Sequence, residues 1–336
     1  MDTIYRGPSG KGPRIAAIGG GTGLSTMLRG LKKYTNNLTA IVTVADDGGG
    51  SGVLREDLGM PPPGDIRSCM EALADTESLM QQLLAYRFPD GRLAGQAFGN
   101  LLLAALDGIS DSFDQAVARM SQVLAITGRI LPVTNSNVQL EAVFDNGSSV
   151  RGESKIFAAK KEQNCRIHHV RLLPEHAPAL PDALEAIRRA EVILLGPGSL
   201  YTSVIPNLLV DGISEAIIDS TALKIYVCNI MTQDGETEGM TARDHVAALL
   251  EHGGAELVDL CLCNSDPVGP ELLERYSAED AAPMAVDSQQ FEGMKLDVVY
   301  YPLLDQECGY ARHSGMKVAQ AVMELYEQRA VTKEYS

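Results

Sequence analysis

Two glycine-rich loops follow apolar runs and carry residue types that could hold an anionic ligand. Residues 19–23 (GGGTG) lead into a predicted helix, and residues 196–203 (GPGSLYTS) repeat this arrangement later in the chain. Glycine lets the backbone approach a ligand closely, and the free N–H groups of a helix start or a turn attract phosphate. The predicted ligand contacts in these loops are Gly20, Gly21, Thr22, Gly23, Gly196, Gly198, Ser199, Leu200 and Tyr201.

Neither loop matches a complete nucleotide or catalytic motif. The first lacks the G-x-G-x-x-G spacing, and no Walker lysine follows it, so a tight turn without a ligand remains an alternative. The second lacks the G-x-S-x-G spacing of a nucleophile elbow. The two loops therefore predict binding rather than a particular reaction.

A pair of carboxylates follows the next predicted strand, in residues 46–52 (DDGGGSG). An acid at the end of the second strand of a βαβ unit is where a ribose hydroxyl is held in doubly wound folds. Paired aspartates can instead hold Mg²⁺ through its water ligands, or form a solvated turn. We predict ligand contact at Asp46 and Asp47, with Mg²⁺ as the alternative and no required metal.

The sequence contains no recognisable catalytic or metal-binding motif. The six histidines form no H-E-x-x-H pair, and no Ser/His/Asp set is evident, so no catalytic residue is predicted. Cys261 and Cys263 could bind a metal, but no second Cys/His pair stands at a zinc spacing. Buried, reduced thiols are therefore expected, and these fit the cytoplasm.

The formal net charge of −16 excludes two classes of partner. Phosphate backbones and anionic membrane surfaces need an excess of Lys and Arg, so we expect neither nucleic acid nor membrane insertion. No apolar run approaches the ~18 residues of a membrane span. The polar, Gly/Pro-rich residues 1–13 predict a flexible tail.

Alternating strand and helix patterns predict an α/β fold, Rossmann-like, with three layers (α/β/α) and a mostly parallel sheet. Alternating apolar residues around Asp145-Asn146-Gly147 predict an inserted β-hairpin at about 138–156. Thr241 and Asp244 have the spacing of a helix capping box. We expect one domain over residues 14–328 and a tail at 329–336. Because carboxyl ends of parallel strands share one edge, the glycine-rich loops and residues 231–237 predict a crevice at a topological switch point.

Several longer segments resemble the gluconeogenesis-factor family (YvcK-like), a sister of the phospholactate transferase CofD. These segments are AIGGGTGLSTMLRGLK, TVADDGGGSGVLREDLGMPPPGDIR, FGNLLLAAL, GRILPVT, LLGPGSLYTSVIPNLLV, YVCNIMTQDGET and ARHSGMK. The resemblance covers residues 14 to about 325. It implies that the chain binds UDP-sugars, notably UDP-N-acetylglucosamine, and links carbon supply to cell-envelope precursor synthesis and cell shape.

The resemblance also implies particular residues and partners. It assigns ligand binding to Tyr276 and Arg312, and it adds Asn100 of the FGNLLLAAL segment. An Arg fork suits a diphosphate, and a Tyr ring suits a base or sugar face. We expect a homo-oligomer that is more a regulator than an enzyme and that contacts a cell-wall precursor enzyme. Two alternatives remain: a phospholactate transferase-like enzyme that uses a diphosphonucleoside donor, and an NAD-binding protein.

Overall fold

The computed structural model describes residues 12–75, 78–305 and 309–334. The predicted tails at 1–13 and 329–336 therefore lie partly outside the described residues. In chain order, the strands are β1 (Ile15–Gly19), β2 (Leu38–Val42), β3 (Arg129–Pro132), β4 (Gln139–Phe144), β5 (Ser149–Arg151), β6 (Ile167–Leu173), β7 (Val192–Leu195), β8 (Leu223–Val227), β9 (Leu260–Asn264), β10 (Asp297–Tyr301), β11 (Leu304–Asp305) and β12 (Arg312–His313).

The helices alternate with these strands over most of the chain. They are α1 (Gly21–Leu31), α2 (Gly49–Leu58), α3 (Gly64–Leu73), α4 (Ser78–Ala85), α5 (Phe98–Gly108), α6 (Phe113–Val123), α7 (Glu153–Gln163), α8 (Pro181–Arg189), α9 (Ile205–Leu208), α10 (Ile213–Ile218), α11 (Ala242–Gly253), α12 (Pro270–Ser277) and α13 (Gly315–Glu334). The capping box predicted for α11 is confirmed, because the Thr241 and Asp244 side chains each accept from the other residue's backbone N–H.

A seven-stranded parallel sheet forms the centre, in the order β10-β9-β8-β7-β1-β2-β3. Every residue of β1 and β7 is buried, as expected for strands that are covered on both faces. Helices flank the sheet, with α1 packed against α3 and α13, and α9 against α10 and α11. The predicted Rossmann-like α/β fold is confirmed.

The chain leaves the centre of this sheet in two directions. From β1 it proceeds through β2 to β3, and later it returns to β7 on the other side of β1 and continues outward to β10. The neighbours β1 and β7 therefore define the topological switch point, where doubly wound folds open a crevice at the carboxyl ends of the strands.

The predicted hairpin belongs to a separate antiparallel sheet, in the order β5-β4-β6. The turn at residues 145–148 joins β4 to β5, as the sequence predicts. The hairpin is shorter than predicted, because α7 begins at Glu153, inside the predicted range of 138–156. The third strand, β6, pairs with β4 on the side away from β5, and this pairing is not evident from the sequence.

The last helix is the longest of the described helices, with 20 residues. It continues to Glu334, past residue 328, where we expected the domain to end. It packs against α1 so closely that a β-carbon on Gly30 would lie 1.9 Å from the carbonyl oxygen of Gly315. None of the described helices has both the length and the apolar character needed to cross a bilayer.

Candidate functional site

A cleft of about 640 Å³ opens at the carboxyl ends of β1, β7 and β8. Its walls include the first turn of α1, the loop after β7, the loop after β8 and residues that precede α13. Among the residues predicted from the sequence, those that line the cleft are Thr22, Gly23, Gly198, Ser199, Tyr276 and Arg312.

Direct backbone contacts hold the first two walls together. A β-carbon on Gly23 would lie 2.4 Å from the carbonyl oxygen of Pro197, so the start of α1 and the loop after β7 touch. Asn229, just after β8, clamps the same loop: its Nδ2 donates to the Gly198 carbonyl at 3.0 Å, and its Oδ1 accepts from the Gly198 N–H at 3.4 Å. The sequence prediction missed Asn229, although it stands two residues after a buried strand, in the kind of position that the glycines also occupy.

The close packing of α13 on α1 brings Arg312 to the cleft, because Arg312 lies in the short strand just before α13. The ring of Tyr310 contacts two cations: the guanidinium carbons of Arg275 and Arg312 lie 4.2 Å and 4.9 Å from its centroid. Arg312 is exposed and lines the cleft, whereas Arg275 does not line it.

Tyr276 and His313 complete this wall. The hydroxyl of Tyr276 accepts from the Ala311 N–H at 3.3 Å. His313 is buried, with its Nε2 3.0 Å from the carbonyl oxygen of Cys228, and burial lowers the pKa of its imidazole to about 4. His313 is therefore neutral at pH 7 and donates to the Cys228 carbonyl.

Phe157 and Asp234 also line the cleft; Asp234 belongs to the predicted loop at residues 231–237, whereas Phe157 was not predicted. The Phe157 side chain is 48% exposed and packs against the backbone of Gly235. Lys161 lies over its ring and pairs with Asp234 through a 2.6 Å contact between Nζ and Oδ2. The buried Oδ1 of Asp234 has no partner. The cleft therefore offers an aromatic surface, and an unpartnered acceptor is buried beside it.

Asp46 and Asp47 lie to the side of the cleft and do not line it. Asp46 accepts from the Gly48 N–H at 2.8 Å, which is the turn considered as an alternative from the sequence. Asp47 accepts from the Ser154 N–H at 2.8 Å, so the loop after β2 faces the start of α7. Burial raises the pKa of Asp46, and the charge of Asp47 adds to this effect.

Three further carboxylates lie near this loop or near the loop after β7. Asp65 and Glu153 were missed from the sequence, whereas Glu236 belongs to the predicted loop at residues 231–237. Burial raises the pKa of Asp65 to about 6 and those of Glu153 and Glu236 to about 7. The charges of Asp46 and Asp47 raise the pKa of Glu153 further, and Thr202 hydrogen-bonds to its carboxylate. Among the described residues, these acids do not bring three ligand atoms within 4.8 Å of one another.

The other predicted contacts lie behind the walls rather than on them. Gly20 and Gly21 face the Asp65 carboxylate, and the Gly196 N–H donates to the carbonyl of Ile18 at 3.0 Å. The side chains of Leu200 and Tyr201 are buried, and the Tyr201 N–H donates to Glu236 at 2.8 Å.

Asn100, predicted through the family resemblance, is also buried behind the site. Its Oδ1 accepts from Arg67 Nε at 2.9 Å. In the structure, it fixes the position of that arginine between α3 and α5.

Comparison with known sequences places the chain in a family. The sequence profile of the 2-phospho-L-lactate transferase CofD family matches residues 15–304. A protein of Thermoanaerobacterium thermosulfurigenes is 53% identical over 316 residues, which are 94% of this chain and 98% of that protein. The gluconeogenesis factor of Bacillus subtilis is 45% identical over 320 residues, which are 95% of this chain and 100% of that protein.

A solved structure supports the same assignment. The crystal structure of a Bacillus halodurans protein superposes with a TM-score of 0.90 at 44% sequence identity, and the match covers 93% of this chain and all of that one. A second crystal structure of that protein describes it as a member of the UPF0052 family. The chain therefore belongs to the CofD family and, within that family, to the group whose curated members are named gluconeogenesis factors.

Proposed function

We propose that this protein binds a nucleotide-sugar of the UDP-N-acetylglucosamine type in the cleft and acts as a regulatory protein. The observation that carries the proposal is the convergence of three strand-end loops and Arg312 on one cleft of about 640 Å³. Ligand pockets typically measure roughly 300–1,000 Å³. The protein has a net charge of −16, and its overall electrostatic field repels an anion. An anionic ligand would therefore depend on hydrogen-bond donors and a cation within the cleft itself.

The diphosphate would lie between the start of α1 and Arg312. Thr22 and Gly23 are in the first turn of α1, where backbone N–H groups lack helical partners. Gly198 and Ser199 add a second turn on the adjoining wall. The planar guanidinium of Arg312 can donate two parallel hydrogen bonds to a phosphate.

The base and the sugar would contact the remaining walls of the cleft. The rings of Tyr276 and Phe157 provide aromatic faces for stacking. Asp234 also lines the cleft, but its unpartnered Oδ1 is buried, so a sugar hydroxyl or a base N–H would reach this acceptor only after the side chain rotates. An unpaired buried acceptor destabilises the free protein, so a donor from the ligand would be favourable there.

The cleft favours binding over catalysis. The Ser199 hydroxyl donates to Gln233 Oε1 at 2.8 Å rather than to a base. His313 is neutral, and its Nε2 is engaged by the carbonyl of Cys228. Nucleophilic catalysis requires an activated nucleophile beside a base, so these contacts support a regulatory role.

In this role, the nucleotide-sugar would shift the protein toward a state that contacts an enzyme of cell-envelope precursor synthesis. This would link carbon supply to cell shape. The names of the curated relatives as gluconeogenesis factors support the first half of that link. We place the protein in the cytoplasm as a homo-oligomer, and the free thiols of the described cysteines support a reducing compartment.

Calorimetric titration with UDP-N-acetylglucosamine tests the proposal, with NAD titrated in parallel. We expect Arg312→Ala to weaken binding by about 10- to 100-fold, because hydrogen bonds to charged groups contribute roughly 1.5–3 kcal/mol. Arg275→Ala is the matched control, because Arg275 contacts the same Tyr310 ring but does not line the cleft. Absent binding to the intact protein, tighter binding of NAD, or equal losses in both variants would contradict the proposal.

A second candidate is a phospholactate transferase-like enzyme, favoured by the match to the CofD profile and by the carboxylates beside the cleft. Asp46 and Asp47 would then bind Mg²⁺. The acceptor hydroxyl would attack the lactate-bearing phosphorus, so that the phosphorus–oxygen bond of the diphosphate breaks, the phospholactate group passes to the acceptor oxygen, a nucleoside monophosphate leaves and the hydroxyl proton goes to solvent. Incubation with a lactyl-diphosphonucleoside, a deazaflavin acceptor and Mg²⁺ separates the two functions. Product formation that Asp46→Asn abolishes would favour the enzyme.

A further inference from the structure

Three cysteine thiols meet in the core behind the cleft. Cys261 and Cys263 alternate along β9 and so face the same side of the sheet. Cys228 directly follows the neighbouring strand β8, and its N–H donates to the carbonyl of Leu262 at 3.0 Å. All three Sγ atoms lie within 4.8 Å of one another, and those of Cys261 and Cys263 are 3.6 Å apart.

We propose that these three thiols form a binding site for a soft, thiophilic metal ion such as Cu⁺, Zn²⁺ or Cd²⁺. Metal–sulfur bonds of about 2.3 Å place sulfurs that share one ion about 3.8–4.0 Å apart. The Cys261–Cys263 separation of 3.6 Å is close to that range and the other two are below 4.8 Å, so side-chain rotations would bring the sulfurs to one ion. The sequence favoured metal-free thiols because no second Cys/His pair stands at a zinc spacing from Cys261 and Cys263.

The surroundings suit a soft cation. A cavity of about 140 Å³ is lined by Cys228 and Cys263 and also by Met284, whose thioether is a further soft donor. Thiolate and thioether ligands select Cu⁺ and Zn²⁺ over Mg²⁺ and Ca²⁺. The same cavity is lined by Asn264 and Asp266, which are partly exposed and give a cation a polar route from solvent.

Binding would exchange protons for the metal. Each thiol that coordinates the ion as a thiolate loses its proton to solvent, and the ion offsets only part of the resulting charge: with three thiolates, Zn²⁺ or Cd²⁺ leaves a net charge of −1 and Cu⁺ leaves −2. This matters because the three cysteines are at most 1% exposed, and isolated thiolates would be unfavourable at such a depth.

The site adjoins the cleft through one short segment. Asn229 and Ile230, which follow Cys228, line both the small cavity and the cleft. A metal ion at Cys228 would therefore fix the strand end that carries Asn229, the residue that clamps Gly198.

Titration of the reduced, untagged, full-length protein with Cd²⁺ alone tests the proposal. We expect one equivalent to bind, with the ultraviolet charge-transfer band of cadmium–thiolate bonds and a rise in the melting temperature. Alanine at Cys228, Cys261 or Cys263 should weaken binding by at least roughly tenfold, because loss of even an outer-sphere partner has that effect.

The control is a variant in which Cys69, Cys165 and Cys308 are all replaced by alanine, so that only the proposed ligands remain. It should bind Cd²⁺ like the wild type and show the same rise in melting temperature. The proposal would be overturned by wild-type protein that shows neither the band nor the stabilisation. It would also be overturned by a folded control variant that has lost them.

Discussion

Gly23 at the start of α1 and Pro197 in the loop after β7 touch through their backbones. A β-carbon on Gly23 would lie 2.4 Å from the Pro197 carbonyl oxygen, closer than any van der Waals contact allows. Because β1 and β7 are neighbours at the switch point, this contact sets the distance between the two glycine-rich walls of the cleft.

We therefore expect Gly23→Ala to separate these walls, weaken the binding of UDP-N-acetylglucosamine and lower the stability by roughly 1–3 kcal/mol, as overpacking does. Calorimetry and thermal unfolding measure the two effects. Gly108→Ala on the exposed side of α5 is the control, because no atom lies within 4 Å of its added β-carbon. Wild-type affinity in the Gly23 variant would show that the two walls need not touch.

Tyr276 allows the ring and the hydroxyl to be tested separately. We expect Tyr276→Ala to weaken nucleotide-sugar binding by roughly 1–3 kcal/mol, the range for base–aromatic stacking. Tyr276→Phe should keep most of the affinity, because the hydroxyl only accepts from the Ala311 N–H.

Leu272→Ala provides the control for packing around Tyr276. Leu272 belongs to the same small apolar cluster but does not line the cleft. The Leu272→Ala variant should be less stable than the wild type but should bind the nucleotide-sugar with the same affinity. Equal affinities in the Ala and Phe variants of Tyr276 would contradict a stacking role.

Glu236 should make the protein less stable as pH rises from about 4.5 to about 7. Burial raises the pKa of its carboxyl in the folded state to about 7 from an ordinary value of 4.5. The folded state therefore holds more protons than the unfolded state across this window, and stability falls as the pH rises.

Glu236→Gln stays neutral and can still accept from the backbone N–H groups of Tyr201 and Thr202. We expect its free energy of unfolding to fall less between pH 5 and pH 7.5 than that of the wild type. The difference should be at most roughly 3 kcal/mol. Urea denaturation at several pH values measures it, and identical pH profiles would refute the assignment.

Glu141 should have the opposite pH dependence. Hydrogen bonds from Arg151, at 2.9 Å, and from Arg171, at 2.5 Å, lower the pKa of its carboxyl. Its contribution to stability is therefore present above about pH 4.5 and is lost as the pH falls below that value.

We expect Glu141→Gln to destabilise the antiparallel sheet by roughly 1–3 kcal/mol at pH 7, with a smaller difference from the wild type in acid. Glu175→Gln is the matched control: Glu175 contacts the same Arg171 at 3.3 Å but is exposed, and such pairs contribute little. A gap that stays constant into acid would argue against the ion pairs.

The glycine-rich loops that form the walls of the cleft could be predicted from the sequence better than the individual side chains that line it. Thr22 and Ser199 could be predicted, because a buried strand followed by glycines is a local pattern and parallel strands bring their carboxyl ends to one edge. Asp46 follows the same rule but lies to the side of the cleft. Its strand, β2, is separated from β7 by β1, so its loop faces α7 instead.

By itself, the sequence determined the buried parallel strands, the glycine-rich turns after them and the hairpin turn, because each depends on residues that are close together in the chain. Only the tertiary structure decided that Arg312 lines the same cleft as Gly23, that the thiols of Cys228 and Cys261 lie close together, and that burial raises the pKa of Glu236 to about 7. These features depend on burial and on distances between segments far apart along the chain, and no local pattern of residues encodes them.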